Sequence, residues 1–223
     1  AILLDKIAYR MNPFMQPYDA DGNIIEKPGA FEALGSISKN QFSDQVTPLL
    51  YMENRTKEKE SWRAMGNLYL QVTPVKGLQI KSLFAPSYAN STMGQFDDTK
   101  VTDYKTNEAQ LTKRQWFHYT WDNTISYAET FKEKHSINVM ALYSITGMQY
   151  NYNYFKYTGV MDGSLWYNLP TGTYDAANST SDYQMNRMMS AALRANYSYA
   201  GRYMVTATVR ADGSSRFAPG NQW

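Results

Sequence analysis

The chain has no cysteine and only two histidines, His118 and His135. Without cysteine there is no disulfide framework, no thiolate nucleophile and no cysteine metal site. The two histidines stand at no spacing that suggests a shared metal. Charge of one sign is missing as well: 22 basic and 20 acidic residues leave a net charge of +2, which gives no electrostatic footprint for nucleic acid. No run approaches the roughly 18 apolar residues of a transmembrane helix. Ala1 to Arg10 carry Asp5 and Lys6 in a short apolar stretch and lack the charged head and small-residue cleavage site of a signal peptide.

Aromatic residues are abundant: 19 Tyr, 9 Phe and 5 Trp accompany a mean hydropathy of -0.56. Rings with a polar tip are enriched where apolar and aqueous phases meet, whereas a soluble core draws mainly on Leu, Ile and Val.

From Trp62 onward the chain alternates with period 2, the signature of strands with two unlike faces. In the first run Trp62, Ala64, Gly66, Leu68, Leu70 and Val72 oppose Arg63, Met65, Asn67, Tyr69 and Gln71. After the turn signal Thr73 to Gly77, Leu78, Ile80, Ser82 and Phe84 oppose Gln79, Lys81 and Leu83. The third run sets Gln115, Phe117, Tyr119, Trp121, Ile125 and Tyr127 against Arg114, Trp116, His118, Thr120, Asp122, Thr124 and Ser126. After a connection at Glu129 to Lys134, Ile137, Val139, Ala141, Tyr143 and Ile145 oppose Ser136, Asn138, Met140, Ser144 and Thr146. The fifth run sets Met189, Leu193, Tyr197 and Tyr199 against Ser190, Arg194, Asn196 and Ser198. Past Ala200 and Gly201, Tyr203, Val205, Ala207 and Val209 oppose Thr206, Thr208, Arg210 and Asp212.

Each run is about as long as the 9 to 11 or so tilted residues that cross a bilayer, or somewhat longer. Arg63, Lys81, Arg114, Asp122, Arg194 and Arg210 all fall on the polar face, as a lipid-facing side and a watery lumen would sort them. Links also alternate in length. Those after Val72, Ala128 and Tyr199 are tight, whereas Ala85 to Thr112 and Gly147 to Gln184 read as long loops, so all the short links share one end. Before Trp62 the pattern predicts part of a strand at Ile2 to Arg10, a long Pro- and Gly-marked loop, a helix within Ala30 to Phe42, and a charged outer strand end at Glu53 to Glu60.

A soluble β-sandwich also alternates, but its turn signals recur every 8 to 12 residues or so at both ends. The one-ended pattern favours an all-β, antiparallel transmembrane β-barrel portion with long extracellular loops, spanning residues 1–223 as one partial barrel domain.

The last segment, Arg202-Tyr-Met-Val-Thr-Ala-Thr-Val-Arg-Ala-Asp-Gly-Ser-Ser-Arg-Phe-Ala-Pro-Gly-Asn-Gln-Trp223, resembles a signature of SusC/RagA-class TonB-linked outer-membrane transporters of Bacteroidetes. Asn196-Tyr-Ser-Tyr, Lys76-Gly-Leu-Gln-Ile-Lys-Ser, Trp121-Asp-Asn-Thr-Ile-Ser-Tyr and Lys134-His-Ser-Ile-Asn-Val are similar to strand segments of that family, and Asn12-Pro-Phe-Met-Gln-Pro-Tyr-Asp with Asp21-Gly22 to one of its loops. The resemblance implies a share of a large barrel of about 22 strands with a plugged lumen. It also implies a multi-pass place in the bacterial outer membrane, import of oligosaccharides or peptides, a SusD-like lipoprotein lid, and coupling to TonB through a TonB box. Neither plug nor TonB box is read in these residues, and an open sheet in lipid would leave backbone groups unsatisfied, so the chain reads as a portion of a longer protein. The alternatives are a structural outer-membrane barrel within a larger assembly and a soluble glycan-binding β-domain.

No catalytic constellation, cofactor or metal site is read, and the chain is not expected to be an enzyme. Asp212-Gly-Ser-Ser lacks the form of a nucleophile elbow and reads as a strand exit in which Arg210 pairs with Asp212. Tyr150, Tyr152, Tyr154 and Tyr157, with Trp166 and Tyr167, are candidates for contact with substrate or lid; the plainer reading of the tyrosines is a strand that continues past the membrane. Trp62, Trp121, Tyr127, Tyr143, Tyr197 and Tyr203 fit an aromatic girdle in contact with lipid.

Overall fold

A computed structural model describes residues 16–26, 28, 47–102 and 105–223. The expected strand at Ile2 to Arg10 and helix within Ala30 to Phe42 lie outside the described residues. A short helix, α1 (Pro48–Asn54), precedes the strands β1 (Arg55–Met65), β2 (Leu68–Val75), β3 (Leu78–Asp97), β4 (Glu108–Phe131), β5 (His135–Thr158), β6 (Thr173–Tyr174), β7 (Thr180–Tyr199) and β8 (Tyr203–Ser214). They form one sheet in the order β1-β3-β4-β5-β7-β8; β2 also pairs with β3, and β6 with β5. The resolved pairings are antiparallel.

Its strands run well past the length read from the sequence. β4 and β5 have 24 residues each, about 80 Å at 3.3 Å per residue, and β3 has 20. The expected long loops Ala85 to Thr112 and Gly147 to Gln184 are therefore strand at both ends. The connecting segments proper are residues 98–107 and 159–179, the latter holding two 3-10 turns and β6. Polar residues at these strand ends masked the alternation, because the few apolar ones there, Phe96, Ala109 and Tyr157, pack under loop residues in a small core and make no long apolar period.

Two tight turns are shorter than expected, Lys76–Gly77 and Lys132–Lys134, and the third, Ala200–Arg202, is one residue longer. Gly77 lies at φ +80°, and a Cβ there would sit 2.4 Å from the Ala128 carbonyl oxygen, so conformation and close approach both require glycine. The other two turns use left-handed residues in pairs, Lys132 and Glu133 at +48° and +57°, and Ala200 and Gly201 at +50° and +66°. Such pairs match the right-handed twist of the flanking strands. The first alternating run is interrupted at Gly66 and Asn67. There the Gly66 N–H donates to the Pro86 carbonyl at 3.1 Å, and proline has no N–H to return.

Two compact units divide the chain. Unit 2 comprises Ser61–Ser91, Lys113–Asn153 and Ser181–Trp223, the alternating sheet. Its register keeps the faces apart: Leu193 pairs with Val209, Ala195 with Ala207 and Tyr197 with Val205, while Arg194 pairs with Thr208, Asn196 with Thr206 and Ser190 with Asp212. Unit 1 comprises Ala1–Glu60, Thr92–Thr112 and Tyr154–Thr180. It holds two small cores, one of Leu50, Tyr51 and Val101 with Ile24, the other of Phe96, Ala109, Val160 and Trp166 with Leu111, Tyr157, Leu165 and Leu169. Buried ion pairs join Arg55 to Asp97 and Lys156 to Glu108.

Candidate functional site

The two faces of unit 2 differ in chemistry. On one, Leu68, Leu70, Val72, Ile80, Phe84, Phe117, Ile125, Leu193, Val205 and Val209 are all exposed, so water-averse side chains cover the sheet without any layer packed on them. On the other, polar partners meet across strands: Ser144 Oγ donates to Asp122, Arg194 Nε to Thr208 Oγ1 at 3.3 Å, and Thr206 Oγ1 to Asn196 Oδ1 at 2.9 Å. Lys81 lies over the Tyr69 ring at 5.1 Å, and Arg210 pairs with Asp212 at 2.9 Å while Ser190 bonds the same carboxylate. Arg63 and Arg114 share this polar face.

The girdle aromatics lie on the apolar face, in two groups. Tyr127, Tyr197 and Tyr203 cluster toward the tight turns, where the Tyr197 hydroxyl and the His135 Nδ1 are hydrogen-bonded at 2.7 Å. Trp121 stands ten residues before the end of β4 and Tyr143 eight after the start of β5, farther from the turns than Tyr127 and Tyr197. Trp121 Nε1 donates to Ser82 Oγ at 2.9 Å, and Trp62 packs on Tyr88 at 5.2 Å between centroids. Of the histidines, His118 is exposed on the polar face.

The candidate contact residues fall in both units: Tyr150 and Tyr152 in unit 2, Tyr154, Tyr157, Trp166 and Tyr167 in unit 1. Strand alternation puts Tyr150, Tyr152 and Tyr154 on the polar side of β5 and Tyr157 on the opposite side, in the core with Phe96 and Trp166. Trp166 is 8% exposed, and its indole occupies the space a side chain at position 94 would take, 2.2 Å from an ideal Cβ on Gly94. Trp166 is thus a packing residue of its loop. Tyr167, in contrast, is 70% exposed, with its hydroxyl donating to Glu58 at 3.0 Å.

What the register does bring together is Tyr150, Tyr152, Trp116 and Arg114. Trp116 stacks on Tyr150 at 5.4 Å and 29°, Tyr150 on Tyr152 at 6.5 Å and 13°, and the Arg114 guanidinium lies 5.2 Å over the Tyr152 ring. These pairs, like Asp122 with Ser144, are symmetric about Glu133 in the β4–β5 turn. All four side chains are half-buried on the polar face. Trp116 was the one not singled out in the sequence, because its pairing with Tyr150 depends on the turn that sets the register. The stack offers one fixed cation, two phenol hydroxyls and an indole N–H, a set suited to hydrogen-bonding and stacking and not to bond cleavage.

No protein-family model matches the chain. TonB-dependent receptor P39 of Formosa agariphila is 25% identical over 198 residues, covering 85% of this chain and 18% of that protein. TonB-dependent receptor P3 of the same organism is 26% identical over 219 residues, covering 97% and 20%. The chain spans about a fifth of the length of the curated relatives it matches. Among solved structures, that of the RagAB peptide transporter superposes with a TM-score of 0.76 at 19% identity, over 95% of this chain and 23% of that one. The RagAB peptide importer in its "closed-closed" state gives 0.77. The fold is that of part of the barrel of RagA, a SusC-like transporter. Among the described residues the sheet is open, with β1 and β2 at one edge and β8 at the other. The proteins it resembles are receptors and transporters of the outer membrane, not enzymes.

Proposed function

We propose that this chain forms a stretch of the wall of a TonB-dependent outer-membrane importer and crosses the membrane repeatedly. Its apolar face meets lipid, its polar face lines the lumen, residues 98–107 and 159–179 lie outside the cell, and the three tight turns lie in the periplasm. The importer takes up peptides or oligosaccharides, with a lipoprotein lid of the SusD kind and TonB as partners. The likeness to RagAB supports the peptide reading and the lid. The observation that carries the proposal is the sorting of side chains: an exposed apolar face that carries aromatics, backed by a face of cross-strand polar pairs.

Charge substitution tests it in the full-length protein. Leu193→Arg or Val139→Arg should weaken barrel assembly by about 2 to 4 kcal/mol if near the midplane, and Thr206→Arg by far less. Assembly is read from the heat-dependent shift of the folded barrel in gels. Equal losses at the three positions would remove the lipid and lumen assignment.

A further inference from the structure

Arg114 is a cation without a carboxylate. Among the described residues no acid lies within ion-pair distance of it, and its contact is the Tyr152 ring. The acids of the same face of unit 2 are engaged elsewhere: Asp122 accepts from Ser144, Asp182 from Gln184 at 2.7 Å, and Asp212 from Arg210 and Ser190. A guanidinium held by a ring keeps its planar fork of donors for a ligand, and carboxylates match that fork two oxygens at a time.

The neighbouring strand leaves space beside it. Gly77 with Ala128 and Ser82 with Asn123 set the register of β3 on β4, which places Ala89 next to Trp116 and Ser91 next to Arg114. Both are small, and Ser91 is turned to Ser61 at 2.8 Å. Arg114 and Trp116 therefore stand as a ridge between the Tyr150 and Tyr152 rings on one side and a strand of short side chains on the other.

We infer that Arg114, braced by Tyr152 and flanked by Trp116 and Tyr150, is a lumen-wall subsite for a carboxylate of an imported peptide, borne by an acidic side chain. This rests on the importer reading above and adds a substrate preference to it. Stacked rings supply apolar contact for peptide side chains, and the guanidinium supplies the charge complement.

The test uses the full-length receptor, purified in detergent, and two decapeptides with amidated ends that differ only in carrying two Glu or two Gln. The wild type should bind the Glu peptide about tenfold more tightly, as a charge-assisted hydrogen-bond pair confers. Arg114→Gln should abolish that preference by weakening the Glu peptide far more than the Gln peptide. Arg114→Lys should keep part of it. No preference in the wild type, or equal loss of both peptides in Arg114→Gln with folding intact, would overturn the subsite. An Arg114-dependent preference for a uronic-acid oligomer over its neutral counterpart, with none between the peptides, would overturn the peptide assignment. Uptake by cells separates the two levels: Gln-peptide uptake that persists in Arg114→Gln cells leaves the importer standing even if the preference is absent. Wild-type cells that take up neither peptide nor oligosaccharide would sink the importer reading itself.

Discussion

A left-handed backbone costs an L-residue about 1 to 2 kcal/mol, and the tight turns meet that cost differently. Gly77 avoids it, and has the Ala128 carbonyl against it as well. Gly77→Ala should therefore destabilise the full-length barrel by about 2 kcal/mol, measured by urea unfolding in detergent. Ala200 bears the cost at φ +50°, with nothing in glycine's place. Asparagine visits this region readily, so Ala200→Asn should gain about 0.5 to 1 kcal/mol in the same measurement. Gly201 was legible as a turn residue from sequence. The strain at Ala200, Lys132 and Glu133 was not, since nothing in those residue types asks for a positive φ.

The segment 159–179 shows how an element of loop becomes ordered. Asp175 accepts from the Asn178 side chain and backbone, which together with the nearby Lys156 charge hold its carboxyl below the ordinary 3.8 despite some opposing burial. A carboxyl with a depressed folded pKa contributes stability that is present above its unfolded value and is lost as pH falls through the folded one. Amide exchange at residues 176–179 should accordingly accelerate below about pH 4 and be insensitive to pH change between about 5 and 8 once corrected for intrinsic rates. Asp175→Asn should remove the acid step. Higher in the same element, Trp166 needs the empty space over Gly94. Gly94→Ala should expel the indole, seen as faster proteolysis between residues 159 and 172, while the cross-strand pairs of unit 2 remain.

At the scale of the whole molecule, the apolar face has no layer packed on it, and in the proposed wall lipid would cover it. The exposed face of Leu68, Leu70, Ile125, Leu193, Val205 and Val209 forms a continuous apolar surface, and among the described residues β1, β2 and β8 end in unpaired edges. An isolated segment of residues 1–223 should not give a monomer with a cooperative thermal transition in detergent-free buffer. Sidedness is testable in intact cells. Cysteines placed at Asp98, Asp162 and Asn178 of the full-length protein should react with a membrane-impermeant reagent, and one at Gly201 should not. Labelling of Gly201 with protection of the other three would invert the proposed topology.

Period-2 alternation is local, so the residues alone determined which side chains share a face: Arg194 against Leu193, Arg114 against Gln115, and Tyr150 with Tyr152. They also determined that the tight links fall at one end, because Gly77 and Gly201 mark turns by conformation. Tertiary structure decided what depends on register and on partners distant in sequence. Trp116 meets Tyr150 only because the 132–134 turn sets the offset of β4 on β5. Trp166 is buried only because position 94 has no side chain. The strands outrun the readable alternation because their ends pair through the backbone, and backbone hydrogen bonds leave no period in the sequence.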